Sequence, residues 1–150
     1  MIRPAIPTDL DRLVRLQAHL AAPAPELLSS FEALGTCLVT LERESGRPVG
    51  YALLIGDSHL AELVVHPAYR REGRARALLR TVIGQLEPGT RLTLTVAADN
   101  DPARSLYESL GFEVCGRLPE FYEIEGDDEM GDSDAETTDA ILYAYERSSE

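Results

Sequence analysis

Across residues 60–86 the hydrophobic pattern changes period. Leu63, Val64 and Val65 form a short apolar run rich in β-branched residues, Pro67 forbids a ladder from continuing, and Gly73 supplies conformational freedom at a turn. Beyond the turn Ala75, Leu78, Leu79, Val82, Ile83 and Leu86 recur at the i, i+3, i+4, i+7 spacing of one helical face. The pattern predicts a strand that stops near His66 and a helix that starts near Arg74. A strand, a glycine turn and a helix start in that order aim several unpaired backbone N–H groups and the positive end of a helix dipole at one spot. Such a spot binds an anion.

The remaining pattern supplies the elements around it. Residues 2–6 read as a short strand, and Thr8 or Asp9 caps a helix whose Leu10, Leu13, Val14, Leu16, Gln17 and Leu20 form a mostly apolar stripe. Residues 21–25 break that helix, and 26–34 read as a second, shorter one ended by Gly35. Two β-rich runs, 36–43 and 48–55, are joined by a hairpin at 44–47; residues 56–58 then turn into the strand that carries Glu62. This predicts a three-strand antiparallel meander leading into the anion turn. Leu92, Leu94 and Val96 alternate in a further strand at 91–97, which completes one βαβ crossover and gives the Leu63 strand a parallel neighbour. Asn100 or Asp101 caps the next helix, with Pro102 in its first turn, Ala103, Leu106, Tyr107 and Leu110 on one face, and Gly111 closing it. Residues 112–118 and 140–145 read as the last two strands.

Composition narrows the class. The 150 residues are the size of one domain, with 44% hydrophobic and 27% charged residues, and no apolar run approaches the roughly 18 residues of a membrane span. The opening residues lack the apolar core of a signal peptide, so the expected location is cytoplasmic. Formal charge is −12, which disfavours nonspecific nucleic-acid binding. All 14 basic residues are arginine, a bias that suits a strongly hydrated surface in concentrated salt. Residues 125–139 hold eight acids and no arginine, and taking those eight from −12 leaves −4, so this stretch reads as an acidic, flexible loop. The opposite bias is local: Arg70, Arg71, Arg74, Arg76 and Arg80 share eleven residues with one acid, Glu72. Cys37 and Cys115 have no metal-spaced partners, and no metal is expected.

The turn Arg70-Arg71-Glu72-Gly73-Arg74-Ala75 resembles the [QR]-x-x-G-x-[GA] signature of the GNAT superfamily of N-acetyltransferases. Asn100, Ala103, Leu106, Tyr107, Gly111 and Phe112 follow in the order of that family's N-x-x-A-x-x-[LF]-Y-x-x-x-G-F motif, and the opening IRPAIPTDLDRLVRL also resembles the family's. The resemblance implies one α/β (α+β) domain over residues 1–150, with a mixed, splayed central sheet flanked by about four helices. It implies acetyl-CoA as co-substrate and an amine acceptor, either a small molecule or a protein N-terminus. A non-catalytic acyl-CoA-binding sensor or docking module is the alternative. Whether the chain is a monomer or a homodimer stays open.

Amide formation from a thioester needs a neutral amine, a held acyl carbonyl and a proton for the departing thiolate. The resemblance assigns the pyrophosphate to backbone N–H groups around Arg70, Arg71, Gly73, Arg74 and Ala75, the acyl arm to Val64 and Val65, with the Val65 N–H on the carbonyl, and the helix start near the cofactor to Asn100. Tyr107 resembles the family's general acid, since a phenol titrates at about 10 and stays protonated near neutrality. Glu62, on the strand just before the acyl site, is the residue expected to bind or deprotonate the amine. Around LYESLGF the chain resembles the N-terminal protein acetyltransferases of bacterial ribosomes, whose catalytic glutamate would fall at Thr95 here. That difference puts the same base and the same substrate in doubt.

Overall fold

The central strands are apolar almost without alternation, and burial explains why. β2 (Cys37–Leu41) is buried throughout and β3 (Pro48–Ile55) at all but its last residue, the condition of strands covered on both faces. The molecule is described from a computed structural model, which covers residues 1–20, 35–56, 58–123 and 137–147. Seven strands and three α-helices lie among them, a mixed α/β fold that divides into two units, Met1–Leu92 with Arg147–Glu150 and Thr93–Glu146.

In the first unit β1 (Ile2–Pro4), β2, β3 and β4 (His59–Val65) pair antiparallel in chain order, so the expected meander gains a strand at its edge. α1 (Leu10–Gln17) lays Leu13 and Leu16 on a cluster of Cys37, Val39, Leu41, Tyr51, Leu53 and Val64. Val14, expected in the same stripe, is 51% exposed, because it lies about 100° round the helix from Leu13. α2 (Arg74–Gln85) packs on β2, β3 and β4 with Leu78, Leu79 and Val82 buried. Its first residue reaches Thr40, whose neighbours Val39 and Leu41 belong to the α1 cluster, so alternation puts α2 on the opposite face.

Asp9 precedes α1 as expected but its carboxylate serves a different purpose. It takes two bonds from the Arg3 guanidinium, at 2.8 and 3.1 Å, and one from the Ile6 N–H at 2.9 Å, which anchors β1 to a 3-10 turn at Pro7–Asp9. The bonds from Arg3 hold the Asp9 carboxyl below the usual carboxylate range, against the upward push of burial.

In the second unit β7 (Thr137–Glu146) lies between β5 (Arg91–Ala97) and β6 (Glu113–Glu123). The β6–β7 hairpin runs further than the apolar pattern predicts, pairing as far as Glu123 with Thr137, because backbone ladders accept polar side chains that need no burial. Residues 137–139 of the expected acidic loop are therefore strand, with Arg117 ion-paired to Asp139 at 2.6 Å; the rest of that loop and the helix expected at 26–34 lie outside the described residues. α3 (Asp101–Ser109) follows β5.

Gly50 sits on β3 tight against β4: a Cβ there would lie 2.7 Å from the Val64 carbonyl oxygen and 3.2 Å from the Val65 Cα. Gly50→Ala should destabilise the fold by about 2 kcal/mol and lower Tm by roughly 4–8 °C, read by thermal melting; an unchanged Tm would show the strands can part freely. Asp9 contributes stability at neutral pH that disappears as pH falls through its lowered folded-state value. The gap in Tm between the wild type and Asp9→Asn should thus be widest near pH 7 and narrow below about pH 4, whereas a constant gap would contradict the ion-pair account.

Candidate active site

β4 ends at Val65, as Pro67 requires, and the chain makes a 3-10 turn at Pro67–Tyr69 in which the Ala68 N–H donates to His66 Nδ1 at 3.0 Å. Two residues of the following turn are left-handed, Arg71 at φ 67° and Gly73 at φ 77°. For Arg71 that conformation costs about 1 kcal/mol, and successive turn N–H groups so arranged form a concave anion-binding nest. Gly73 is the N-cap of α2 and brings no capping side chain to the helix start. A Cβ on Gly73 would meet nothing within 4 Å, so its φ, not crowding by the protein, calls for glycine, and the space ahead of the turn is open.

The arginines divide into two groups. Arg74 turns back onto the protein: its guanidinium bonds Glu72 at 3.0 Å, Thr40 Oγ1 and the Leu41 carbonyl each at 3.0 Å, and lies 5.5 Å from the centroid of the Tyr69 ring. These contacts pin the helix start to β2 and answer the repulsion an arginine meets in a first helical turn. Tyr69 in turn donates its hydroxyl to Glu42. Arg70 donates Nε to the Val65 carbonyl at 3.0 Å. The side chains of Arg70 and Arg74 are thus braces, although Arg70 stays exposed like Arg71 and Arg80, while Arg74 and Arg76 are half-buried. Thr40 and Glu42 were not legible as parts of this turn, since no spacing links them to it.

The ladder fixes what Val65 offers. His66 donates its N–H to Val49 at 2.8 Å, which makes the adjacent pair, Gly50 with Val65, one whose N–H and C=O groups point away from each other. The Val65 N–H therefore faces away from β3, while the backbone groups of Val64 face β3 and its side chain joins the core.

Ala61 is an extra residue in β4, opposite the Leu53–Leu54 step, and Glu62 follows that bulge. Glu62 is not a surface glutamate: it is 6% exposed and faces α1. Gln17 Nε2 donates to both carboxylate oxygens, at 3.0 and 3.1 Å, and the Tyr51 hydroxyl donates to Oε1 at 2.9 Å. Burial, then the charge and the hydrogen bond of Glu62, push the Tyr51 phenol up; burial, then the charges of Asp9 and Glu62, push the Cys37 thiol up to about 12. Sequence periodicity marked Gln17 as an edge of the apolar stripe and passed over Tyr51.

In the second unit Asn100 caps α3, its Oδ1 accepting from the Ala103 N–H at 3.3 Å. Tyr107 is the buried residue of that helix, its ring 5.8 Å from Phe112 and 6.0 Å from Tyr143 between centroids. The Tyr143 hydroxyl donates to Glu108 and accepts from Arg104 Nε at 3.0 Å; Arg104 also donates to the Ala98 carbonyl at 3.0 Å. This cluster fixes the rotation of α3 about the Tyr107 ring. Thr95 lies half-buried on β5.

Known proteins resemble this chain in sequence and in fold. The family model described as "Acetyltransferase (GNAT) domain" matches residues 19–125. The N-alpha-acetyltransferase RimI of Mycobacterium tuberculosis is 37% identical over 93 residues, covering 57% of this chain and 58% of that protein. A mycothiol acetyltransferase of Streptomyces bingchenggensis is 36% identical over 122 residues, 79% of this chain and 37% of that one. The chain thus spans from 37% to 58% of the length of these curated relatives. The crystal structure of the ribosomal-protein-S18-alanine N-acetyltransferase from Escherichia coli superposes with a TM-score of 0.81 at 29% identity, covering 99% of this chain and 94% of that one. The chain, with a left-handed turn, an open helix start and a Val65 amide that faces away from β3, belongs to the GNAT acetyltransferase family.

Proposed function

We propose that the protein is a cytoplasmic N-acetyltransferase that moves an acetyl group from acetyl-CoA to a primary amine, with a protein or peptide N-terminus as the favoured acceptor. The observation that carries this reading is the end of β4, where a left-handed turn and an uncapped helix start follow directly on an amide turned out of its ladder. Both the open space before Gly73 and the exposed Arg71 suit a diphosphate. The preference for a peptide acceptor draws on the likeness to the two N-terminal acetyltransferases above, one of them over nearly its whole length.

Acetyl-CoA supplies the acyl group as a thioester. Glu62 takes a proton from the acceptor ammonium, directly or through a water, which frees the nitrogen lone pair to form the new C–N bond. The Val65 N–H donates to the acyl oxygen as negative charge gathers on it. Tyr107 gives its hydroxyl proton to the departing sulfur as the C–S bond breaks, and the proton balance closes through solvent. Arg71, Gly73, Arg74 and Ala75 hold the diphosphate by their N–H groups, with Arg70 and the Arg74 side chain keeping that turn in place.

Gly73→Asp keeps a residue type that tolerates the left-handed region but sets bulk and negative charge in the open space, so acetyl-CoA binding by calorimetry should be lost while Tm changes little. Unchanged affinity in the folded variant would end the turn assignment.

Tyr107→Phe keeps the ring and loses the proton. It should bind acetyl-CoA nearly normally and turn over at least roughly tenfold more slowly, since general acid catalysis contributes about 10²- to 10⁴-fold. The assay follows free thiol release across a panel of peptides and small amines. Full activity in that variant would remove the general-acid role. A wild-type protein that binds acetyl-CoA and acetylates no member of the panel would be a binding module instead.

A further inference from the structure

A buried carboxylate is expensive, and packing alone would be better served by an apolar residue on this face of β4, which Val64 also lines. What surrounds Glu62 is organised around its charge. Two neutral donors approach from two different elements, the Gln17 carboxamide from the last residue of α1 and the Tyr51 phenol from the middle of β3. Gln17 spans both oxygens and Tyr51 adds a second bond on Oε1, so together they fix the carboxylate plane as well as its position. Both are buried, Gln17 at 3% exposure and Tyr51 at 0%, and neither is free to turn to solvent.

We infer that Gln17 and Tyr51 are positioning residues that hold the Glu62 carboxylate in the orientation from which it accepts the proton of the acceptor amine. This rests on the reading of Glu62 as the base. Among the described residues the groups facing it include the carboxamide from α1, the phenol from β3 and the Cys37 thiol from β2, which senses its charge; Asp9 acts on the same thiol. Tyr51 and Cys37 are both held in their neutral forms well above neutral pH, so an acidic limb in the rate profile does not come from them. Donors to a carboxylate favour its charged form, and removing one makes the proton harder to lose.

The test is the pH dependence of kcat/KM for wild type, Tyr51→Phe, Gln17→Met, Glu62→Gln and the pairings of the first two with Glu62→Gln. The acceptor probe is an alanine-initiated peptide, and acetyl-CoA affinity and Tm serve as controls. Tyr51→Phe and Gln17→Met should each move the acidic limb to higher pH, read as a loss of kcat/KM on the order of tenfold on that limb, with acetyl-CoA affinity unchanged. Adding either to Glu62→Gln should change the rate little further, because they act through that carboxylate. A purely packing role would lower Tm and leave the limb where it is. If Glu62→Gln keeps the wild-type profile, the base assignment itself fails. If Glu62→Gln removes the limb while Tyr51→Phe and Gln17→Met leave it unmoved, or if their effects add in full to that of Glu62→Gln, the positioning role is overturned and the base stands. Should one of the two single variants not fold, the other decides by the same limb.

Discussion

The structure depends on where β4 is allowed to stop. Pro67 ends the ladder, the left-handed pair at Arg71 and Gly73 reverses the chain, and the Arg74 guanidinium clamps the new helix to β2 through Thr40 and Leu41. Each step needs the previous one. Without the stop there is no turn; without the turn the first N–H groups of α2 would not open onto free space; without the clamp the helix start would carry an unanswered positive charge at the wrong end of its dipole. The register just before that stop turns the Val65 amide away from β3, next to the turn.

Cost and use are visible at the same places. Arg71 holds a conformation that glycine would adopt with less strain, and Glu62 holds a charge in a core that leucine would fill. Neither is explained by stability. Both lie within the stretch of β4 and turn to which the proposed chemistry is assigned, and both are over-determined by neighbours: Arg70 and Arg74 brace the turn, while Gln17 and Tyr51 grip the carboxylate. A site built on strained or buried polar groups needs such supports, since each would otherwise relax toward a cheaper conformation.

The second unit is braced in a similar way. Tyr107 sits on a helix whose rotation is fixed by a hydrogen-bonded cluster of Arg104, Tyr143 and Glu108, with aromatic packing on Phe112 and Tyr143 around its ring. The phenol proposed to act as acid therefore has its ring held by packing, while Arg104 and Glu108 lie to the side, one turn before it in the helix and one residue after it.

The local parts of this protein were written in the sequence. The strand from His59, the helix from Arg74, the Asn100 cap and the strand at Arg91 to Ala97 all follow from periodicity, proline and glycine, which act over a few residues and leave their mark in spacing. Tertiary structure alone decided which arginines brace the turn, because Arg70 and Arg74 look like Arg71 in a sequence and differ only in what lies within reach. It also decided that Glu62 is buried and that Gln17 and Tyr51, 45 and 11 residues away, are the groups that hold it. Hydrogen bonds between side chains on different elements have no period, so no pattern in one chain can announce them; they exist only once α1, β3 and β4 have met.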